Sequence, residues 1–395
     1  MEQRLSARVR GIAPSATMSI DAKTKALLND GQPVVNMSVG EPDFDTPKAA
    51  AFAGIKAIVN GQTRYTAAAG TLDLRKAIVS KLMRENGLQY TPEQIVVSSG
   101  AKHSLFNIFL AICDPGDEVI LPAPYWVSYP EQIRLSGAEP VIVSCTEASG
   151  FKMTPEQLEA AMTPKTKAVM LNSPNNPTGA VYSREELTAL GEVLLKHDVY
   201  VVTDEIYEKL VYGVEHYSIN GLVPDLMSRT VVVNGFSKAF AMTGWRLGYL
   251  AGPLDVVKAV SSLQSHATGN PASMSQAAGV AAFDAFDPSM VEAFHERRDY
   301  LVRALKEMDG LQCLMPDGAF YVFPNISRLY GKSLEGKRIE NSNDFCTMLL
   351  ETDLVAAVPG SAFGAPDNMR LSYATSMDQI KLAVERIQHF ISRLQ

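Results

Sequence analysis

Short apolar runs rich in β-branched residues alternate with helix-length segments between residues 70 and 260 of the chain. Runs of this kind are typical of strands buried on both faces of a parallel sheet, and they predict an α/β domain. Segments with a helical pattern, such as 183–198 (SREELTALGEVLLKHD), separate them. The predicted strands are 94–100 (QIVVSSG), 118–124 (EVILPAP), 140–145 (PVIVSC), 167–174 (KAVMLNSP), 199–205 (VYVVTDE) and 230–236 (TVVVNGF).

The pattern differs in the C-terminal part of the chain. Long helical segments at 290–309 and 376–394 flank two short predicted strands, at 318–326 and 368–374. Helices set apart from a few strands indicate a smaller α+β domain. The segment before residue 48 has no strand partner nearby in the sequence, so we expect it to pack with this part. The predicted division is a large domain at 48–285 and a small domain formed by 1–47 and 286–395.

Composition and charge narrow the classes of partner. The chain has 395 residues, of which 46% are hydrophobic, and a formal net charge of −7, which offers no basic field for nucleic acid. No apolar run reaches the roughly 18 residues that would indicate a transmembrane helix. Residues 1–20 carry arginines where a signal peptide needs an apolar core, so we expect a cytoplasmic protein. The four cysteines form no C-x-x-C pair, which indicates buried free thiols.

Several familiar motifs are incomplete. Residues 331–338 (GKSLEGKR) come close to a phosphate-binding P-loop, but Arg338 replaces the magnesium-binding hydroxyl, and we interpret the segment as an exposed loop. The chain contains no G-x-G-x-x-G dinucleotide motif. His295 and Glu296 lack the second histidine of a zinc protease, and the six histidines do not cluster. We therefore expect no metal site.

Two ionisable residues lie at or just after the ends of predicted strands. Asp204 ends the run VYVVTD, and Lys238 comes shortly after TVVVNGF, among apolar neighbours such as Phe236 and Phe240. Ligands of open α/β sheets bind outside the carboxyl ends of the strands, so we expect both side chains in one crevice. A lysine in apolar surroundings loses part of its proton affinity and becomes a candidate nucleophile.

Three stretches carry a resemblance to a known family: 172–179 (NSPNNPTG), 203–212 (TDEIYEKLVY) and 237–249 (SKAFAMTGWRLGY). Together they closely resemble the fold-type I pyridoxal-phosphate enzymes, specifically the class I aminotransferases of the aspartate aminotransferase kind. The resemblance extends from SVGEPDFDTP at 38–47 to MRLSYATS at 369–376. It implies a large domain with a mostly parallel sheet of the seven-stranded type, a smaller α+β domain, and pyridoxal 5′-phosphate as cofactor.

The resemblance assigns roles around the cofactor ring. Lys238 would bind the cofactor's aldehyde and later carry the substrate's α-proton. Asp204 would keep the pyridine nitrogen protonated, and a protonated ring is the better electron sink. Tyr207 and Asn176 would reach the 3′ oxygen, and Trp126 would stack on the ring face.

Taken singly, each of these residues also has a structural interpretation. Lys238 could lie over apolar neighbours at the surface with its amine in water. Asp204 could cap the next helix. Tyr207 could pack in a core, and Asn176 lies in a peptide well suited to a turn. Only their order and their positions after strands make the family resemblance specific.

A phosphate group needs hydrogen-bond donors and positive charge. Residues 98–109 (SSGAKHSLFNIF) open a helix after a predicted strand, so the amides of Gly100, Ala101 and Lys102 can bind an anion. The resemblance adds Ser237 and Arg246, whose guanidinium would bind the phosphate in a bidentate manner.

The remaining assignments concern substrate and assembly. Arg370 would bind the substrate's α-carboxylate, with Gly40 allowing the backbone to come close. Since both lie outside the cofactor domain, substrate binding would draw the domains together. Tyr65 resembles the tyrosine that this family extends to the neighbouring subunit's phosphate, which predicts a homodimer.

One departure bears on the substrate. The aspartate-specific branch of the family grips the distal carboxylate with an arginine from the other subunit, but residues 263–276 (LQSHATGNPASMSQ) contain none. Lys102 resembles the lysine that a second branch uses, some members of which accept prephenate. We therefore expect a transaminase with ping-pong kinetics acting on aspartate or glutamate and a 2-oxo acid. The alternatives are an aromatic or prephenate transaminase, a β-lyase, or a ligand-sensing regulator, for which residues 1–33 leave too little room for a DNA-binding domain.

Overall fold

A computed structural model describes residues 4–12 and 16–395 of the chain. Its strands form sheets of seven, three, two and two members. The strands are β1 (Val35–Asn36), β2 (Ile95–Ser98), β3 (Glu118–Ala123), β4 (Glu139–Ser144), β5 (Thr166–Asn172), β6 (Tyr200–Asp204), β7 (Thr230–Gly235), β8 (Gly248–Ala251), β9 (Tyr321–Val322), β10 (Ser333–Leu334), β11 (Lys337–Arg338), β12 (Val355–Ala356), β13 (Val358–Pro359) and β14 (Met369–Ser372).

The α-helices range from short single turns to long amphipathic segments. They are α1 (Ala7–Arg10), α2 (Ala16–Asn29), α3 (Lys48–Val59), α4 (Leu72–Asn86), α5 (Ala101–Ile112), α6 (Ser128–Ser136), α7 (Pro155–Ala161), α8 (Arg184–Leu194), α9 (Ile219–Leu222), α10 (Leu254–Ala267), α11 (Ser273–Ala282), α12 (Ser289–Lys306), α13 (Ser342–Asp353) and α14 (Met377–Ser392). In the described residues no helix is both long and apolar enough to cross a membrane.

The seven-stranded sheet has the order β2-β8-β7-β6-β5-β3-β4. All six strands predicted from the apolar runs lie in it, and the α/β fold class is confirmed. The seventh strand, β8, is antiparallel to both of its neighbours, β2 and β7. It was not predicted because its four residues, GYLA, include no β-branched residue, and the first two of them end the 237–249 stretch.

Helices cover both faces of this sheet because alternate strand residues point to opposite sides. On β2, Val96 packs in one apolar cluster with Leu105 and Phe109 of α5. Its neighbours Ile95 and Val97 pack in a second cluster that includes residues of α4 and α11. Burial on both faces explains why the strands are continuous apolar runs and do not alternate with polar residues.

The C-terminal part contains a three-stranded antiparallel sheet in the order β13-β14-β9. Helices α12, α13 and α14 contribute to one large apolar cluster with this sheet. Strand β1 pairs in parallel with β12, where Val35 lies opposite Val355. The segment before residue 48 therefore contacts the C-terminal part, while the exact division into domains stays a prediction.

Two smaller expectations have different outcomes. The segment 331–338 was expected to be an exposed loop, and this was wrong: β10 and β11 pair as an antiparallel hairpin, although β11 is exposed. The expectation of free buried thiols is confirmed for all four cysteines, Cys113, Cys145, Cys313 and Cys346.

Candidate active site

The carboxyl ends of the central strands open into a cavity of about 480 Å³. Residues from the N-terminal segment, the central sheet and the C-terminal sheet line it together. Of the candidate residues, all but Gly100 and Tyr65 are among those lining the cavity: Gly40, Ala101, Lys102, Trp126, Asn176, Asp204, Tyr207, Ser237, Lys238, Arg246 and Arg370.

Lys238 lies in the turn after β7 and extends its amine into the cavity. The Nζ atom donates a 2.5 Å hydrogen bond to the Gly40 carbonyl oxygen. It lies 5.8 Å and 5.7 Å from the ring centroids of Tyr207 and Phe320. Burial lowers the pKa of Lys238 to about 8. A larger fraction of this amine is therefore neutral near physiological pH than for an exposed lysine, as a nucleophile requires.

Asp204 is the last residue of β6, and its carboxylate is buried. Tyr129 Oη donates to Oδ2 at 2.8 Å, and the Ile206 amide donates to Oδ1 at 3.1 Å. Both partners are neutral, and burial raises the pKa of Asp204 to about 6. A buried carboxylate is costly without a cation. The site therefore fits a protonated pyridine nitrogen as the missing cationic partner.

The start of α5 has the features of an anion site. Gly100 precedes the helix with φ of 91°, and the amides of Ala101 and Lys102 have no acceptor within the helix. A Cβ atom on Gly100 would lie 2.6 Å from Arg246 Nη2, so the glycine leaves room for the guanidinium. Burial and the nearby Arg246 charge lower the pKa of Lys102. Two cations beside a helix N-terminus fit a phosphate group.

Arg370 extends from β14 into the same cavity and is buried. Its Nη2 donates to the Ser38 carbonyl oxygen at 2.7 Å, and its Nη1 donates to Asn176 Oδ1 at 3.0 Å. Both acceptors are neutral, and Nε is buried without a partner among the described residues. Burial lowers the pKa of the guanidinium. A buried cation with neutral partners is suited to a carboxylate ligand.

Trp126 and Lys102 lie next to each other at the rim of the cavity. The Lys102 amine is 4.7 Å from the Trp126 ring centroid. The Trp126 ring in turn packs edge-to-face on Tyr129, with centroids 5.3 Å apart. An aromatic wall and a charged amine therefore stand beside the residues that fit the ring and the phosphate.

Two candidate residues lie outside the cavity. Gly100 packs closely against the Arg246 guanidinium and does not line the cavity. Tyr65 lies in the segment between α3 and α4, and its side chain is 99% exposed. Within one chain, Tyr65 therefore contributes nothing to the cavity.

Ten further lining residues were not predicted, and three of them contact the candidate residues through their side chains: Tyr129, Asn172 and Tyr321. Tyr129 follows Trp126 by one helical turn, so this spacing was an available signal. Asn172 begins the NSPNNPTG stretch, and its Nδ2 donates to the Asp204 carbonyl oxygen at 2.9 Å. For Tyr321 the sequence offered no signal beyond an apolar strand.

Comparison with known proteins agrees with this geometry. The family model described as aminotransferase class I and II matches residues 32–387. An aspartate aminotransferase of Geobacillus stearothermophilus is 49% identical over 392 residues, which cover 98% of this chain and 99% of that protein. An aspartate/prephenate aminotransferase of Nitrosomonas europaea is 47% identical, covering 98% of this chain and 100% of the relative.

Solved structures give the same result. The aspartate aminotransferase from Rhizobium meliloti superposes with a TM-score of 0.96 at 47% identity, covering 99% of both chains. The enzyme from Thermus thermophilus with maleate has a TM-score of 0.92 at 44% identity, covering 98% of this chain and 99% of that one. The chain therefore belongs to the class I and II aminotransferases, a family of enzymes that use pyridoxal 5′-phosphate.

Proposed function

We propose that this aminotransferase exchanges the amino group between aspartate or glutamate and a 2-oxo acid, in two half-reactions at one site. The observation that carries the proposal is the single cavity that Lys238, Asp204 and Arg370 share. The names of the relatives support the substrate class, since they are aspartate aminotransferases or an aspartate/prephenate aminotransferase. The prephenate reaction remains the second candidate because of the Nitrosomonas europaea relative.

The proposed roles divide the reaction among residues of this chain. When bound, pyridoxal 5′-phosphate supplies an aldehyde and a ring that takes up the electron pair left by the substrate's α-proton. Lys238 would hold the cofactor and would move that proton with its amine. The buried carboxylate of Asp204 would keep the ring nitrogen protonated by accepting its hydrogen bond, and Tyr207 would donate to the 3′ oxygen.

The binding roles follow from the charges. The phosphate would be held by the amides of Ala101 and Lys102, with Ser237 and Arg246. The Gly100 amide, which was also expected to bind it, donates instead to the Ser98 carbonyl oxygen at 2.7 Å. The phosphate would then lie at the start of α5, where the Arg246 charge is close enough to Lys102 to lower its pKa.

The substrate's α-carboxylate would bind Arg370 beside Asn176, which the guanidinium already contacts. Gly40 lies in the N-terminal segment, where its carbonyl oxygen accepts from Lys238. Since Gly40 and Arg370 lie outside the proposed large domain at 48–285, we propose that substrate binding draws the small domain, 1–47 and 286–395, toward it. Closure would exclude water behind Trp126.

Lys102 is the proposed ligand of the distal carboxylate, because its amine is half-buried at the cavity rim beside Trp126. Replacing Lys102 with methionine is expected to lower kcat/KM for aspartate by about 10- to 150-fold, the contribution of one charge-assisted hydrogen bond. With free alanine as the amino donor, which has no distal carboxylate, kcat/KM is expected to fall far less in the same variant. The measurement is a panel of amino donors against 2-oxoglutarate in both proteins.

The same panel tests the proposed function. Wild-type protein should transfer the amino group from aspartate to 2-oxoglutarate with ping-pong kinetics. Failure with aspartate and success with an aromatic donor would replace the proposed substrate while leaving the cofactor chemistry in place. Breakdown of cystathionine without consumption of 2-oxoglutarate would indicate a β-lyase.

We also propose a homodimer, because helix α3 has its larger apolar residues on the outside. The residues facing inward are small: Ala50, Gly54 and Ala57 are buried. Outward, Phe52, Ile55, Ile58 and Val59 are 66%, 55%, 53% and 78% exposed. An apolar helix face of this kind indicates a protein contact. A second copy is the proposed partner, since the exposed Tyr65 follows the same helix closely in sequence and would then reach the other subunit's phosphate.

Substituting Phe52 with glutamate is expected to convert the dimer to monomers, because it places a charge in the proposed apolar contact. The measurement is the molar mass in solution by light scattering, together with the cofactor content. Leu195→Glu is the matched control: it introduces the same charge at an exposed apolar residue beside α8, a helix that packs against α7 and α9. A variant at Phe52 that keeps the mass of a dimer would remove α3 from the interface.

The location of the protein is a proposal as well. A cytoplasmic protein is consistent with four free thiols and with the lack of a membrane-spanning helix in the described residues.

A further inference from the structure

Tyr321 contacts two residues of the site that lie far apart in the sequence, Tyr207 and Arg370. It lies on β9 of the C-terminal sheet, its side chain is fully buried, and it lines the cavity. Its hydroxyl is 2.8 Å from the hydroxyl of Tyr207. The guanidinium of Arg370 lies 4.6 Å from the centroid of its ring. One side chain therefore contacts both Tyr207, the proposed donor to the cofactor, and Arg370, the proposed binder of the substrate's α-carboxylate.

Which of the two hydroxyls donates is fixed only when one of them donates its proton to a third group. Each phenol carries one proton, and either oxygen can donate in the Tyr207–Tyr321 hydrogen bond. If Tyr207 donates to the cofactor's 3′ oxygen, as the proposed function requires, its proton is no longer available to Tyr321. The bond between the two tyrosines must then run from Tyr321 to Tyr207.

The surroundings of Tyr321 leave its proton available for this direction, because the Tyr207 hydroxyl is the one hydrogen-bond partner of its hydroxyl among the described residues. The Arg370 charge beside the ring makes the phenol a stronger donor. A Cβ atom on Gly40 would lie 3.0 Å from the Tyr321 oxygen, so the glycine leaves room for the hydroxyl. The Gly40 carbonyl oxygen also accepts from Lys238, which places the tyrosine pair close to the amine.

We propose that Tyr321 is a positioning residue for the reaction: its hydroxyl donates to Tyr207 and thereby fixes the Tyr207 proton toward the cofactor's 3′ oxygen. The inference rests on the proposed role of Tyr207. Hydrogen bonds in a chain strengthen one another, so Tyr207 is a better donor when it also accepts. With its 3′ oxygen bound in this way, the cofactor would carry less negative charge there, and the Lys238 nitrogen would give up its proton at a lower pH.

The test is the pH midpoint of the visible absorbance change of the bound cofactor, measured in the holoenzyme without substrate. Tyr321→Phe removes only the hydroxyl, so Tyr207 becomes a weaker donor and the midpoint should move upward, by about 0.4 to 1 pH unit. Tyr207→Phe, which removes the donor itself, should move it further in the same direction. Tyr373→Phe is the matched control, since it removes a fully buried hydroxyl of the same apolar cluster that donates to the Ala319 carbonyl oxygen at 3.3 Å and does not line the cavity.

A second readout separates positioning from a structural role. Succinate, a dicarboxylate without an amino group, should bind Tyr321→Phe within about twofold of wild type, because the ring still lies beside Arg370. Loss of succinate binding would mean that the variant disturbs the whole site, and it would overturn the proposal. If the midpoint is unchanged in Tyr321→Phe but shifted in Tyr207→Phe, the inference about Tyr321 is wrong, while the proposed role of Tyr207 stands. Unchanged midpoints in both variants would overturn the proposed role of Tyr207 and the inference with it.

Discussion

Replacing Lys238 with alanine is expected to lower turnover by about 10⁴-fold, the upper range for a lost general acid–base group. The buried amine is the only proposed residue that both holds the cofactor and moves the substrate proton. The visible absorbance of the covalently attached cofactor should also disappear, leaving the spectrum of the free aldehyde. Turnover and spectrum are measured on the same protein after saturation with pyridoxal 5′-phosphate.

Lys209→Ala is the control for this variant. Lys209 is also partly buried, and its amine forms an ion pair with Glu85 at 2.7 Å, but it does not line the cavity. It should keep both the spectrum and the activity. If Lys238→Ala retained full activity, the proposed mechanism would be wrong.

The pKa of Lys238 also gives a pH dependence for the wild-type protein. Only the neutral amine attacks an aldehyde, and burial lowers its pKa to about 8. The rate of covalent cofactor attachment to the cofactor-free protein should therefore rise with pH and level off above about pH 8. A rate that keeps rising to the pKa of an ordinary lysine would show that the amine is solvated in solution.

Replacing Asp204 with asparagine is expected to lower kcat by about 10²- to 10⁴-fold. The substitution keeps the shape and removes the charge, which breaks a buried charge pair with the protonated ring, worth about 3–5 kcal/mol. Asparagine can still accept from the Ile206 amide through its oxygen, so the fold should hold. The measurements are kcat, cofactor content and the melting temperature.

Tyr129→Phe distinguishes the charge from its hydrogen bond. This variant removes the 2.8 Å bond to Asp204 and leaves the carboxylate in place. Its effect on kcat should be smaller, about tenfold, which is the lower end of the range for one hydrogen bond to a charged group, because the carboxylate keeps its charge and its bond from the Ile206 amide. Equal losses in both variants would mean that the orientation of the carboxylate matters more than its charge.

The sequence by itself determined the features that depend on local pattern. Continuous apolar runs predicted the parallel strands, because strands buried on both faces cannot alternate with polar residues. Asp204 and Lys238 were found because they lie at or just after the ends of such runs, and the carboxyl ends of parallel strands share one edge of the sheet. The helix start at Gly100 was visible for the same reason. Ser237 and Arg246 came from the family resemblance.

Only the tertiary structure decided the contacts between distant segments. Arg370 meets Asn176 and Ser38 through the packing of β14 against the large sheet and the N-terminal segment. The pairing of Tyr207 with Tyr321 also joins two distant segments. The antiparallel direction of β8 is set by its pairing with β2 and β7, which lie far from each other in the sequence. No periodicity encodes such contacts, because a pattern reports which face of an element is buried and not which residue lies opposite. The pKa values of Lys238 and Asp204 follow from the same cause: a motif names the ionisable group, but burial among distant side chains sets its proton affinity.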